Sequence, residues 1–561
     1  MENAPVAQLD RASASGAEGS AFNSRQAQIN FSCYYFQNFS FRRIFEISCF
    51  LTDFVYSQVT RKKIGLYVIL SCRNNIKRGR KDGYMKFGER RICYNNFAGH
   101  LLNSYNPNVL YPSLRINVWN HQDWENWIRM IASFGFNVYE FWLEPFFFCR
   151  EGISSAAGCS FIKTINEICK MAHDNGVKVE MIAALATTGA KWKTLCPNVK
   201  SEWEEIRFLW NEWTKALSEL DIVGIFPGDP GGCSINGCTA ETYIDKSIDI
   251  AVLVEKNIPA AEVEFHTWGP PFFGWGIIEN VPGRENEYIP ACQASAWKFS
   301  RSRMEKSMNY LLKRLPDFPD KTSVAINMGF TPDGNPDGDN NAIPWAREIA
   351  KTRTILTWDF SLTEGENAII PHYRFKRLFE QRRMERMSAP YSGGVCFTMT
   401  PKLNQLSLYE SAVSFKNPDA DPDVMAQNFY EMLFGADGRK IASYLPLFEV
   451  IPDWGNYAKS VYEQKSFHKA MVELKELLIS LRGHEREVFF IPTAVEYREE
   501  LLWYADWFAK ASSVSPDYDM LAKEYWNRVY AIYDKLPPHV DPRPEMATRR
   551  IVDFFKKGGS L

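Results

Sequence analysis

The sequence alternates short apolar runs with amphipathic helical segments, and this alternation restricts the folds open to the chain. Each apolar run is strand-like and is followed by a segment with apolar residues three and four apart, as in a helix with one buried face. The predicted strands are residues 114–119, 136–143, 177–185, 222–226, 261–269, 323–330, 353–361 and 393–401. Strands and helices in this alternation predict an α/β fold, a (β/α)8 TIM barrel. A doubly wound open sheet is the alternative, but residues 117–124 lack the usual Gly-rich turn after its first strand.

The strand pattern stops after the barrel. Residues 466–483 and 494–512 are instead helical, with apolar residues three and four apart. We therefore expect a barrel at 111–435 and an all-α C-terminal domain at 436–561. Roughly two to three domains also suit the length of the chain, because 561 residues are too many for one ordinary core.

The first 84 residues do not share the pattern. Residues 1–30 resemble a translated transfer-RNA gene, and residues 31–84 have scattered aromatic side chains, no sustained period and a basic end. We expect residues 1–84 to be a spurious or disordered extension, with Met85 as the start of translation. That start would make the protein cytoplasmic. A signal at the apolar run 64–72 would instead export it, although this run is too short to span a membrane.

Charge is distributed unevenly along the chain. Residues 1–84 contain 12 Lys and Arg against 6 Asp and Glu, whereas the remainder contains 53 against 61. The remainder is therefore mildly acidic and has no basic field suited to nucleic acid, so we expect no nucleic-acid partner. Aromatic residues make up 14% of the chain, with 17 Trp, which suits either a sugar-binding cleft or a large aromatic core. The oligomeric state is left open by the sequence.

An acidic residue follows the fourth predicted strand. The apolar run 222–226 ends in the loop PGDPGG, which contains Asp229, and a helical pattern begins at Ala240. Side chains at the carboxyl ends of barrel strands face the active-site mouth, so Asp229 is the first candidate for catalysis. The competing interpretation is that Asp229 caps the next helix or braces a turn, for which Asp is well suited.

Other strand ends place carboxylates next to tryptophan. Glycoside hydrolysis uses two carboxylates and flat aromatic rings. One carboxylic acid protonates the leaving oxygen, a second carboxylate acts as base or nucleophile, and the aromatic faces hold the sugar. The candidate catalytic residues are Asp229, Glu264 and Asp359. The candidate substrate-binding residues are Trp119, Trp142, Glu144, His266, Trp268 and Trp358. The competing interpretation is that acidic residues are common at barrel mouths and the tryptophans belong to the core.

Metal ligands and cofactors are not indicated by residue spacing. No second His or Cys stands at ligand spacing from the histidines, and Cys233 and Cys238 either pair or remain buried thiols. The loop 331–341 has Asp333, Asn335, Asp337 and Asp339 at alternate positions, as in calcium loops, but Pro344 stands where an EF-hand has a bidentate Glu. A solvated turn is the main interpretation of that loop, with calcium as the alternative. We expect no metal and no cofactor.

Residues 403–435 contain a helix rich in small residues, an N-P-D-x-D-P turn and a second helix that ends in Phe434 and Gly435. This stretch resembles the post-barrel stretch of barrel glycoside hydrolases such as the α-glucuronidases, whose barrel and helical domain have a similar layout. The resemblance implies cleavage by carboxylates at the ends of the later strands, which Asp229, Glu264 and Asp359 could match. The adjacent Asp-Glu pair of hexosaminidase-type barrels is absent. This argues against substrate-assisted cleavage of an N-acetyl sugar.

We therefore expect a glycoside hydrolase that acts on an oligo- or polysaccharide with carboxylates at the barrel mouth. The alternative is a barrel that binds glycans or a protein partner without catalysis. The sugar, the linkage and the stereochemical outcome are left open by the sequence.

Overall fold

A computed structural model describes part of the chain. The described segments are residues 88–94, 121–143, 147–189, 193–228, 232–233, 236–267, 301–327, 343–362, 388–398, 405–444, 465–486 and 493–515, with single residues at 145, 275, 379, 383, 447, 488, 517, 520, 521, 523, 524 and 527. The chain divides into two units, Met1–Met85 and Lys86–Leu561, and every described residue belongs to the second. The prediction for residues 1–84 and the possible calcium loop therefore lie outside the described residues.

Eight parallel strands close into a barrel, which confirms the predicted fold class. Each strand pairs with the next along the chain, and β8 pairs with β1, where Glu89 lies opposite Gly393. The strands are β1 (Glu89–Tyr94), β2 (Val138–Leu143), β3 (Lys178–Ala184), β4 (Ile222–Phe226), β5 (Glu262–His266), β6 (Thr322–Asn327), β7 (Ile355–Leu362) and β8 (Gly393–Thr398). Seven of them lie at the predicted places. A separate antiparallel ribbon joins Thr187–Thr188 to Lys193–Thr194.

The prediction for the first strand was wrong. The closed barrel uses Glu89–Tyr94 and not residues 114–119, which lie outside the described residues. The barrel therefore begins before residue 111. The physical reason is that β1 opens with three charged residues, Glu-Arg-Arg, and so lacks a local apolar pattern. Arg91 is nevertheless completely buried, because glutamates from two other strands neutralise it.

Helices surround the strands. In the described residues they are α1 (His121–Phe134), α2 (Arg150–Ser154), α3 (Ala156–Asp174), α4 (Lys200–Ala216), α5 (Ala240–Asn257), α6 (Arg301–Arg314), α7 (Ile343–Ile349), α8 (Gln405–Lys416), α9 (Pro422–Phe434), α10 (Lys465–Ser480) and α11 (Ala494–Ala511). Short 3₁₀-helices span Leu315–Asp317 and Ala436–Tyr444. None of the helices in these described segments is long and apolar enough to cross a membrane.

Helix α1 shows why the sequence forms these elements. Its buried residues Trp124, Trp127, Ile128 and Ile131 recur at spacings of three and four, so one face packs toward the strands. Trp127 meets Tyr139 of β2 edge to face, with ring centroids 6.5 Å apart. Helix α1 thus covers part of the outer face of the sheet.

The hydrophobic core lies between the strands and the helices. Successive side chains of a strand point to opposite faces, and on β3 the residues Val179, Met181 and Ala183 belong to this core. Glu180, between them, is buried on the interior face. The barrel interior therefore holds polar side chains where branched apolar residues usually dominate.

The C-terminal region is helical, as the fold-class prediction states. Helices α10 and α11 pack together, with Phe467 and Phe508 edge to face at 6.0 Å. Tyr497 of α11 also stacks on Tyr430 of α9 at 6.5 Å, across the predicted boundary at 435. Apart from the earlier start of the barrel, the predicted division into 111–435 and 436–561 stays a prediction.

Candidate active site

The predicted site residues fall into two groups in the structure. Glu264, His266, Trp142 and Trp358 are described with their side chains, and all four are buried. Asp359 is in β7, with only its backbone described. The remaining candidates lie outside the described residues: Trp119, Glu144, Asp229 and Trp268.

Charged side chains from four strands meet inside the barrel. We call Arg91, Glu140, Glu180, Glu264 and His266 the interior polar cluster. The Nη1 atom of Arg91 donates to Glu180 Oε2 at 2.6 Å and to Glu264 Oε2 at 2.5 Å. Arg91 and its two partners have no exposed surface. One guanidinium thus joins β1 to β3 and β5 across the interior.

His266 lies at the end of β5, next to Glu264 on the same face of the strand. Its Nε2 atom is 3.1 Å from Glu264 Oε1, and its side chain is 2% exposed. The Tyr243 hydroxyl lies 2.9 Å from the backbone carbonyl oxygen of His266 and 3.0 Å from that of Ile225, and these two acceptors share its single proton. Tyr243 of α5 therefore fixes the ends of β4 and β5 side by side. The backbone of His266 is thus fixed by Tyr243, and its imidazole lies beside the Glu264 carboxylate.

Gly224 of β4 makes room for this arrangement. A Cβ at this position would lie 3.0 Å from His266 Nε2, 3.1 Å from Glu180 Oε1 and 2.8 Å from the Ile182 side chain. Any larger residue would press on the imidazole and the Glu180 carboxylate. The cluster thus depends on a glycine that faces the interior.

The pKa of Glu264 lies below its ordinary value. Burial raises this pKa, but the Arg91 guanidinium lowers it, and hydrogen bonds from His266 and Ser323 act in the same direction as Arg91. Ser323 Oγ donates to Glu264 Oε2 at 3.2 Å. Glu264 is therefore an ionised carboxylate at neutral pH, and its geometry suits orientation of His266 more than proton donation to a substrate.

Aromatic rings lie nearer to the carboxyl ends of the strands. The Trp142 ring is 4.9 Å from Phe226, the last residue of β4, and 6.3 Å from Trp358. Trp358 is 1% exposed and its Nε1 donates to Glu140 Oε1 at 3.1 Å. Trp142 is 8% exposed. The buried position of Trp358 is that of a packing residue and argues against a sugar-stacking role for this ring.

The loop after β4 is anchored by Trp275. Trp275 Nε1 donates to the carbonyl of Pro227 at 2.9 Å. A Cβ on Gly232 would lie 2.2 Å from the Trp275 ring, so only glycine fits there. Gly228 has a φ of 114°, a conformation that favours glycine. Asp229 comes directly after Gly228, so the chain on both sides of this candidate is constrained.

Three members of the interior polar cluster are not among the site residues predicted from the sequence: Arg91, Glu140 and Glu180. A usable signal existed for the glutamates, because Glu140 is the one charged residue of β2 and Glu180 lies between Val179 and Met181, each at an inward position. An isolated charge in such a strand indicates a buried ion pair. Arg91 had no such signal, since its neighbours Glu89 and Arg90 are charged too.

No family model matches the sequence, and no curated protein matches it. Among solved structures, a Thermobaculum terrenum O-GlcNAc hydrolase mutant is 13% identical, with a TM-score of 0.45 over 84% of this chain and 94% of that chain. CpGH84B is 9% identical, with a TM-score of 0.45 over 84% and 77% of the two chains. A GH138 enzyme that targets pectin rhamnogalacturonan II is 10% identical, with a TM-score of 0.45 over 88% and 60%. The structural neighbours are thus glycoside hydrolases, but an activity does not transfer at this level of similarity.

Proposed function

We propose that the protein is a glycoside hydrolase that cleaves a glycosidic bond in an oligo- or polysaccharide. The observation that carries the proposal is the composition of the barrel interior. Three glutamates, a histidine and two tryptophans face inward beneath the carboxyl ends of the strands. In barrel enzymes the active site lies at this end, and carboxylates with aromatic rings suit the binding and protonation of a sugar.

In the proposed mechanism Asp229 is the general acid that protonates the leaving oxygen. Asp359 is the second carboxylate, acting as base or nucleophile. Glu264 is a candidate for this role from the sequence as well, but its full burial and its contact with Arg91 favour Asp359. Glu264 then acts as a positioning residue that orients His266 toward a substrate hydroxyl.

The substrate-binding residues are proposed from their places in the chain. Trp142 retains some exposed surface next to Phe226, which supports a role at the floor of the sugar site. Trp119, Glu144 and Trp268 are proposed to line the mouth. Trp358 is better explained as support for Trp142 and Glu140.

The test is Asp229→Asn, which keeps the shape of the side chain and removes the proton donor. We expect a loss of about two to four decades in turnover on a substrate with a poor leaving group. An aryl glycoside with a good leaving group needs little protonation and should lose much less. Asp249→Asn on the exposed side of α5 is the matched control and should retain wild-type rates on both substrates.

Equal losses on the two substrates would assign Asp229 a base, nucleophile or positioning role. Wild-type rates on both would show that Asp229 only supports its turn. Either result would contradict the general-acid assignment.

The second candidate is a barrel that binds glycans without cleaving them. The ion pair of Glu264 with Arg91 and the burial of Trp358 favour this second candidate. Two predicted site residues then pack inside the barrel and do not line its mouth. Oligosaccharide binding by calorimetry with no released product would support this candidate over the hydrolase.

A further inference from the structure

Three cysteine thiols meet in a cluster outside the interior polar cluster. Cys196 lies between the antiparallel ribbon and α4, whereas Cys233 and Cys238 belong to the loop between β4 and α5. The three sulfur atoms lie within 4.8 Å of one another, and the sulfurs of Cys196 and Cys238 are 3.6 Å apart. All three residues are buried. Two loops from neighbouring strands therefore bring three soft donor atoms together.

The spacing of these sulfurs suits a metal ion. A Zn²⁺–sulfur bond is about 2.3 Å long, so two sulfurs on a tetrahedral ion are separated by about 3.8 Å. The sulfurs of Cys196 and Cys238 are already close to that separation. Thiolates also select soft or borderline ions over Mg²⁺ and Ca²⁺. We propose that Cys196, Cys233 and Cys238 bind one Zn²⁺ ion.

The backbone around the cluster holds these cysteines in place. Asn236 and Gly237 have φ values of 52° and 71°, so the chain turns sharply just before Cys238. Asn236 Nδ2 donates to Cys196 Sγ at 3.4 Å, and the Asn236 carbonyl accepts from Asn198 Nδ2 at 2.9 Å. Hydrogen bonds of this kind orient ligands in metal sites. The loop therefore carries supporting contacts as well as donor atoms.

A second cluster of possible ligands is less suitable. Donor atoms of Glu180, Glu264 and His266 also lie within 4.8 Å of one another. Arg91, however, already places a positive charge on both carboxylates, at 2.6 Å and 2.5 Å. A divalent ion would have to bind beside that guanidinium. In the thiol cluster, the neighbours that act on Cys238 are the other two thiols, Cys233 and Cys196.

A bound Zn²⁺ would join the loop after β3 to the loop after β4. Cys233 follows Asp229 in the same loop, so the ion would also hold the chain that carries this candidate acid. Metal binding does not depend on the proposed hydrolase activity. A negative result for one therefore leaves the other standing.

The test is a titration of the reduced full-length protein with Co²⁺ under anaerobic conditions. We expect about one equivalent of Co²⁺ per chain, with a sulfur-to-cobalt charge-transfer band in the near ultraviolet that Zn²⁺ abolishes. Cys196→Ser and Cys233→Ser should each lower the affinity by at least about tenfold. Cys169→Ser, at a buried thiol in α3, is the matched control and should bind like the wild type.

The wild-type spectrum decides the question even if a serine variant fails to fold. Absence of the charge-transfer band, with all thiols titrating in denaturant, would overturn the proposal and leave the cluster as core thiols. Two missing thiols under non-reducing conditions would also overturn it, in favour of a disulfide. Co²⁺ binding that both serine variants retain would place the metal elsewhere.

Discussion

Replacing Arg91 by Met tests whether the interior polar cluster holds the barrel together. Met keeps much of the apolar volume of the side chain but removes the charge that faces Glu180 and Glu264. Removing one partner of a buried ion pair typically costs about 3–5 kcal/mol, because the other charge remains buried. Here two fully buried carboxylates lose their cation, so we expect the free energy of unfolding to fall by at least about 3 kcal/mol.

The pKa of Glu264 gives this loss a pH dependence of definite sign. In the wild type the folded pKa is lowered, so Glu264 stabilises the fold above the unfolded pKa of about 4.3 and this contribution disappears as the pH falls. Without Arg91, burial raises the folded pKa, and the variant then loses stability as the pH rises from the unfolded toward the folded value. The difference between the two proteins should therefore be largest near pH 7, shrink as the pH falls toward the unfolded pKa, and shrink further below it, where the wild type loses its own contribution.

Denaturant unfolding across this pH range is the assay. The control is Arg129→Met, which breaks the half-exposed ion pair with Glu125 on α1 and should cost about 0–1 kcal/mol. A loss at Arg91 no larger than this control, or a loss that does not vary with pH, would refute the reasoning. An Arg91→Met protein that folds only at acidic pH would agree with the reasoning.

Two further changes test the aromatic contacts. Trp358→Ala should reduce the free energy of unfolding by about 3–5 kcal/mol in thermal melts, because the ring is buried. Trp142→Ala should instead weaken oligosaccharide binding in calorimetry. Weaker binding by Trp358→Ala and a large stability loss in Trp142→Ala would exchange the two roles. Gly232→Ala should cost about 1–3 kcal/mol through its clash with Trp275, while Gly88→Ala, whose nearest neighbour is 3.7 Å away, should melt nearly like the wild type. Equal melting temperatures for the two alanine variants would show that the loop moves to accommodate a side chain.

Seven barrel strands could be predicted from the sequence because their signal is local. An apolar run followed by an amphipathic helix is visible without knowledge of any partner. β1 could not be predicted in this way. Arg91 is tolerable inside the barrel only through Glu180 and Glu264, and the latter is 173 residues away. That pairing exists only in three dimensions.

The candidate site shows the same division. Strand alternation correctly places Glu264 and His266 on one face, because a period of two is a local property. Strand alternation does not show that Arg91 forms an ion pair with the Glu264 carboxylate. The thiol cluster was missed for a similar reason. Cys233 and Cys238 are close in sequence, but Cys196 belongs to a different loop, and its approach depends on how β3 and β4 pair.

The seam between β1 and β8 has a consequence for biosynthesis. These strands are the first and last of the barrel to leave the ribosome, yet they are hydrogen-bonded neighbours along their whole length. Until β8 emerges, the growing sheet has two unpaired edges, which other nascent chains can join. Arg91 likewise lacks one of its two carboxylate partners until β5 has been made and supplies Glu264. Ring closure is thus a late event that removes both edges at once.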